Sequence, residues 1–161
     1  MVGVIFKRVF YLFLYAVVFV VSLPIYASLS VWKKEERLII DNYLKMFKEY
    51  DQGHFSSPLY QNCVREIEQS ISRCNYINEK IELPTLTSYP IHFAAIAGDI
   101  SHLSFLIDHG ADLTLTDSKG RTALYAALNQ GQQQIKRKDY VSIDRYIQVA
   151  KKILAKQPIV V

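Results

Sequence analysis

"YPIHFAAIAG", Tyr89 to Gly98, decides how the chain is read, because a second stretch, "TALYAALNQG" from Thr122 to Gly131, repeats it 33 residues later. Ile91 aligns with Leu124, Ala94 with Ala127 and Gly98 with Gly131. A self-similar period of this length is the signature of stacked helical repeats, where each unit buries its apolar face only against a neighbour. Between the copies lies "LSFLIDHGADLTLTDSKGRTAL", Leu103 to Leu124. Thr122 is an N-cap residue, and Pro90 stands where a missing N–H costs nothing. Ala94, Ala95 and Ala127 allow close helix approach. Gly98 and Gly131 are expected to end the short first helices, and Gly110 suits the left-handed position after the second. Asp117 and Gly120 fit the ends of a type I turn.

In order and spacing, residues Pro90 to Gly131 resemble ankyrin repeats, with a TPLH-like start, an Ala pair, a second helix ending in Leu106-Ile107, then "GAD" and "DSKGRT". The resemblance implies an all-α repeat stack that binds another protein through its turn tips and first helices. Carried over by position, the contact residues are Thr114, Thr116, Ser118, Lys119 and Arg121 on the turn, with Ile96, Ala97, Asn129 and Gln130 on the first helices. It also implies a structural hydrogen-bonding role for His92.

The departures from the pattern are as informative. Tyr89 replaces the capping Thr, and "PTLTSY" stands where a DxxG turn would precede the first copy. In the second copy the Leu-Leu-like pair arrives only at Ile153-Leu154, 47 residues after Leu106-Ile107. An insertion at about 132–146 is therefore expected, giving a lengthened last helical hairpin whose Ile143, Ile147, Ala150 and Ile153-Leu154 stripe closes that end of the stack. The opposite end is expected to be capped by helices within residues 28–83, with the repeats over 84–161.

Those N-terminal helices carry their own signals. Leu38, Ile39, Tyr43, Leu44, Phe47 and Tyr50 make one apolar face. After the "DQGHFSSP" loop, Ser57-Pro58 is a cap and first-position pair. Cys63, Ile67, Ile71, Cys74, Ile77 and Ile81 form a stripe that predicts one helix from about Pro58 to Ile81. Both cysteines lie on it. On a straight helix they stand about 16 Å apart, beyond disulfide reach, which makes them reduced core residues; a disulfide is the alternative if the chain bends between them.

The first residues differ from the rest. Lys7-Arg8 precede the uncharged run Val9 to Leu23, followed by Pro24 and then Ala27 at a cleavage position. This is read as a signal peptide over residues 1–27, the alternative being a retained membrane anchor over 9–29. Either implies export, so the chain is expected in the periplasm. The net charge of +4, from 19 Lys and Arg against 15 Asp and Glu, gives no dense basic face for nucleic acid. The basic cluster Lys136, Arg137 and Lys138 is either a soluble tip or a contact for an acidic partner.

No catalytic signature is visible: no GxSxG, HExxH, phosphate-cradling glycine loop or paired carboxylates. No CxxC occurs, so neither metal nor cofactor is expected. His102 and His109, about 10.5 Å apart along a helix, are read as a solvated face, and His54 as a loop residue without a visible partner. The combined expectation is a non-catalytic binding module, most specifically an immunity or inhibitor protein against a toxin or enzyme. The alternatives are an accessory protein for a periplasmic enzyme and a membrane-anchored scaffold.

Overall fold

The computed structural model describes residues 31–54, 57–84 and 86–157. The proposed signal peptide or anchor lies outside these residues. The chain divides into two compact units, Met1–Glu35 and Glu36–Val161. Of the first only residues 31–35, which are helical, are described.

The second unit is an all-α stack of three helical hairpins. Helix α1 covers residues 31–51, of which 36–51 belong to this unit, and buries Ile39, Tyr43 and Met46. It ends where Gly53 takes a left-handed φ of 77° and donates to the Tyr50 carbonyl. Helix α2, Pro58–Cys74, begins with the Ser57 hydroxyl accepting from the Tyr60 N–H at 3.0 Å. It stops seven residues before the sequence pattern predicts, because Asn75 adopts the left-handed conformation, φ 52°, and its N–H returns to the Ile71 carbonyl. Asn is the non-glycine residue that tolerates this geometry best. Ile77 and Ile81 are still buried, but from a 3-10 turn, Tyr76–Asn78, and from strand β1, Ile81–Glu82. β1 pairs with β2, Thr87–Ser88, as a two-stranded antiparallel tip with Ile81 opposite Ser88. The apolar stripe thus marked burial correctly except at half-buried Cys74, and helix length wrongly.

Cys63 is buried and Cys74 half-buried, and no disulfide joins them. Burial pushes the Cys63 thiol above its ordinary value.

The second hairpin comprises α3, Pro90–Ala97, and α4, Ile100–Asp108. Gly98 turns between them at φ 67°, and the Asp99 carboxylate accepts from the Ser101 and His102 N–H groups to start α4 at once. The third comprises α5, Ala123–Arg137, and α6, Tyr140–Lys156, both far longer. First helices pack in one layer, with α3 on α5, and second helices in another, with α4 against both α2 and α6. Tyr43 and Phe47 of α1 pack their rings on Phe93 of α3, with centroids 4.7 and 5.6 Å apart. Ile91, Ala94, Ala95, Leu103, Leu106, Ala126 and Ala127 fill the centre. Each large aliphatic side chain buried there contributes about 1.5–3 kcal/mol, and the alanines let α3 and α5 approach.

Two expectations fail. Gly131 does not end a helix but lies inside α5. The α6 stripe does not close the end of the stack: Ala150 and Ile153 are buried with Tyr146 and Val149, whereas Ile147 and Leu154 are exposed.

Candidate functional site

The turn between the second and third hairpins is built around one carboxylate. Asp117 is buried. Its Oδ1 accepts from the Lys119 and Arg121 N–H groups at 2.8 and 3.0 Å, and its Oδ2 accepts from the Arg121 guanidinium at 2.8 and 2.6 Å. Burial by itself raises the Asp117 carboxyl, but the Arg121 side chain and these backbone donors more than offset it and hold it below the usual carboxylate range. The main chain closes the turn as well, with Gly120 N–H on the Asp117 carbonyl at 3.0 Å and Asp117 N–H on the Arg121 carbonyl at 2.9 Å.

Neighbouring loops brace it. The Ser118 N–H donates to the Thr87 carbonyl in β2 at 3.1 Å. His92, expected to be structural, bonds the Arg121 carbonyl through Nε2 at 2.8 Å, and burial lowers its pKa below the ordinary imidazole value. Asn78 spans the loops one layer back, donating to the Gly110 carbonyl at 3.2 Å and accepting the Asp112 N–H at 2.8 Å. Asp112 in turn holds the Thr114 N–H and hydroxyl. What remains is a rigid loop presenting side chains outward, which lowers the ordering cost of any contact made there.

The sequence-derived contact residues fall into three groups. Thr114, Thr116, Ser118 and Lys119 are exposed on the braced turn. Arg121 is not a free contact arm, since its guanidinium is engaged by Asp117. On the first helices Ala97 is buried and offers no surface, while Ile96, Asn129 and Gln130 are partly exposed. Lys136, Arg137 and Lys138 are exposed at the far end of α5; that helix has 15 residues, so they lie about 20 Å from the turn. The structure therefore separates them from the turn rather than joining them to it.

Two further features had weak sequence signals. His102 is fully buried, correcting the solvated-face reading, whereas His109 is exposed. The His102 Nε2 meets the Tyr43 hydroxyl and its Nδ1 the Glu68 carboxylate, each at 3.0 Å, so α1, α2 and α4 converge on one ring. Burial, then Glu68, raises the Tyr43 phenol well above its ordinary value. Among the described residues no three His, Cys, Asp or Glu converge as a metal site. His54 lies 3.8 Å from the Glu49 carboxylate.

The second feature is an apolar groove of about 430 Å³ between α5 and α6, lined by Tyr125, Leu128, Gln132, Ile135, Ile143 and Ile147 over a floor of Gly131 and Tyr146. Tyr125, Leu128 and Ile135 are each more than half exposed. The signal was a second apolar stripe on α5, at 125, 128 and 135, opposite the alanine face.

Comparison with known proteins agrees with this architecture. Residues 60–137, just under half of the chain, match the family model described as ankyrin repeats (3 copies). The match reaches back into α2, well before the motif visible from Pro90. A Neisseria meningitidis serogroup B protein whose name describes it as an ankyrin repeat protein is 31% identical over 90 residues, covering 55% of this chain. That alignment spans only 34% of the relative's length. No solved structure matches the chain. The matched segment, the 33-residue period and the two-layer hairpin stack make residues 60–137 similar to ankyrin repeats.

Proposed function

We propose that the chain is a non-catalytic, exported binder that recognises another protein through the braced turn, most specifically as an immunity or inhibitor protein that blocks a toxin or enzyme in the periplasm. Ankyrin repeats are protein-binding modules, and the observation that carries the reading here is the outward set Thr114, Thr116, Ser118 and Lys119 on a loop fixed by buried Asp117. A blocking role suits a surface that is pre-organised before contact. Export rests on the basic pair, apolar run and Ala27 position at the N-terminus.

Two measurements test it. Mass analysis of the mature protein from envelope fractions is expected to give a start at Ser28; an intact Met1 removes the cleaved form and favours the anchored scaffold. Deletion is expected to sensitise cells to a co-encoded toxin, with protection restored by the intact chain. The triple variant Thr116→Ala, Ser118→Ala, Lys119→Ala, which spares Asp117 and Arg121, is expected to fold normally and fail to protect. Full protection by that variant rules out the turn as the recognition surface.

A further inference from the structure

We propose that the groove between α5 and α6 receives an amphipathic helix with acidic flanks from a partner protein. The proposal rests on the reading of the chain as a protein binder, but uses a surface that includes none of the turn residues.

Shape is the first support. From Tyr125 to Ile135 the wall on α5 runs about 15 Å, room for roughly three turns of a helix laid along it. The walls are mostly apolar, Asn129 and Gln132 apart, and the floor is low because Gly131 has no side chain and packs against Tyr146, whose Cβ would stand 3.3 Å from a Cβ added there. Apolar positions spaced three and four apart on a partner helix fit such a trough. A bilayer surface would touch the rims and leave the floor wet, so the concavity favours a helix over a membrane.

Charge is the second. Residues 123–157 carry seven basic side chains, Lys136, Arg137, Lys138, Arg145, Lys151, Lys152 and Lys156, against Asp139 and Asp144, a net +5. The whole chain carries only +4, so the rest of the molecule nets −1 and the positive excess is concentrated on this hairpin. Lys136 stands beyond Ile135 at one end of the groove; Lys151 continues the Ile143 and Ile147 stripe at the other. Both are exposed. A second copy would bring the same positive hairpin face to face with itself, which disfavours it as the occupant. Acidic residues flanking an apolar stripe complement both features.

The test uses the purified chain and a fluorescent synthetic helix of about 18 residues, with Leu on one face and Glu on the other, against the same helix with Lys in place of Glu. The acidic helix is expected to bind at least about tenfold more tightly, with affinity falling as salt rises. Leu128→Asp and Ile147→Asp, both at exposed positions, are expected to weaken it about tenfold while circular dichroism stays unchanged. Lys136→Glu with Lys151→Glu is expected to reverse the preference, and decides the matter even if the groove variants unfold. Lys119→Ala is expected to leave peptide binding unchanged, so this proposal and the turn-based reading fail separately. Equal affinity for both helices overturns the proposal. So does binding only to vesicles containing phosphatidylglycerol, or a concentration-dependent dimer abolished by Leu128→Asp.

Discussion

Gly98 and Gly131 occupy the same place in the 33-residue period and meet different fates. At Gly98 the chain reverses with φ 67°; at Gly131 it stays helical and α5 continues to Arg137. The following residues explain the difference. Asp99 is an N-cap whose carboxylate holds two N–H groups of the next helix, so stopping is rewarded immediately. Gln132, Gln133 and Gln134 offer no cap and propagate a helix well. A glycine permits a turn; its neighbour determines whether the turn is taken.

Yet both glycines serve one aromatic ring. A Cβ on Gly98 would stand 3.2 Å from Tyr146 Cε1, and one on Gly131 would stand 3.3 Å from Tyr146 Cβ. Tyr146 occupies the notch between them, donates to the Ile96 carbonyl at 3.2 Å and meets the Tyr50 hydroxyl at 2.5 Å. Having donated its own proton to Ile96, its oxygen accepts from Tyr50. Burial and the Tyr50 contact raise its phenol above the ordinary value.

The largest expected effect comes from removing what the two hairpins share. Tyr146→Ala is expected to cost about 3–5 kcal/mol in urea unfolding, whereas Tyr146→Phe, which keeps the ring, is expected to lose about 1 kcal/mol. Equal losses would mean that the hydroxyl pair, not the glycine notch, locks the hairpins together.

Next comes the start of α5, which the second copy holds with Thr122 and Asp117 while the first begins at an uncapped Tyr89. Asp117→Asn is expected to cost about 2–3 kcal/mol at neutral pH. Because the folded carboxyl titrates below its unfolded value, its contribution is present above the unfolded pKa of about 3.9 and disappears as pH falls through the folded one. His92 acts in the same direction: burial lowers its folded pKa, so stability starts to fall below about pH 6.5, where the unfolded imidazole charges first. Thermal unfolding between pH 7 and pH 3 is expected to show both losses, with the lower one flattened in Asp117→Asn.

Gly98→Ala follows, expected to cost about 1–2 kcal/mol because an L-residue is forced to positive φ. Gly131→Ala is the smallest. About 1 kcal/mol of helix propensity opposes the tight approach to Tyr146, so the net change is expected within about 0.5 kcal/mol of zero. A loss at Gly131 matching that at Gly98 would show that contact with Tyr146, rather than backbone conformation, sets both.

The central part of the fold was legible because its markers are backbone devices. Pro90, Gly98, Gly110, Asp117, Gly120 and Thr122 each act as expected, since caps and left-handed turns are decided within a few residues. The first hairpin shows such markers at Gly53 and Ser57-Pro58 but lacked one at the end of α2: Asn75 stands in for a glycine, and its left-handed turn is not distinguishable by periodicity from one more helical residue. The candidate surface was legible only in part. Turn exposure at Thr114 to Lys119 followed from position, but Arg121 was taken as a contact because sequence does not show that Asp117 is buried and claims it. His102 was misplaced for a related reason: its partners Tyr43 and Glu68 lie 59 and 34 residues away, outside any local pattern.

The tyrosine pair has a kinetic consequence. Repeat stacks usually fold by propagation, each unit depending only on the one beside it, so that an end can fray while the middle holds. Here Tyr50 and Tyr146, 96 residues apart in sequence, bridge the first hairpin to the last. Fraying of the terminal hairpin must therefore break a contact rooted at the other end. Amide exchange in α6 is expected to track exchange in α1, and a single mutation at either tyrosine to uncouple them.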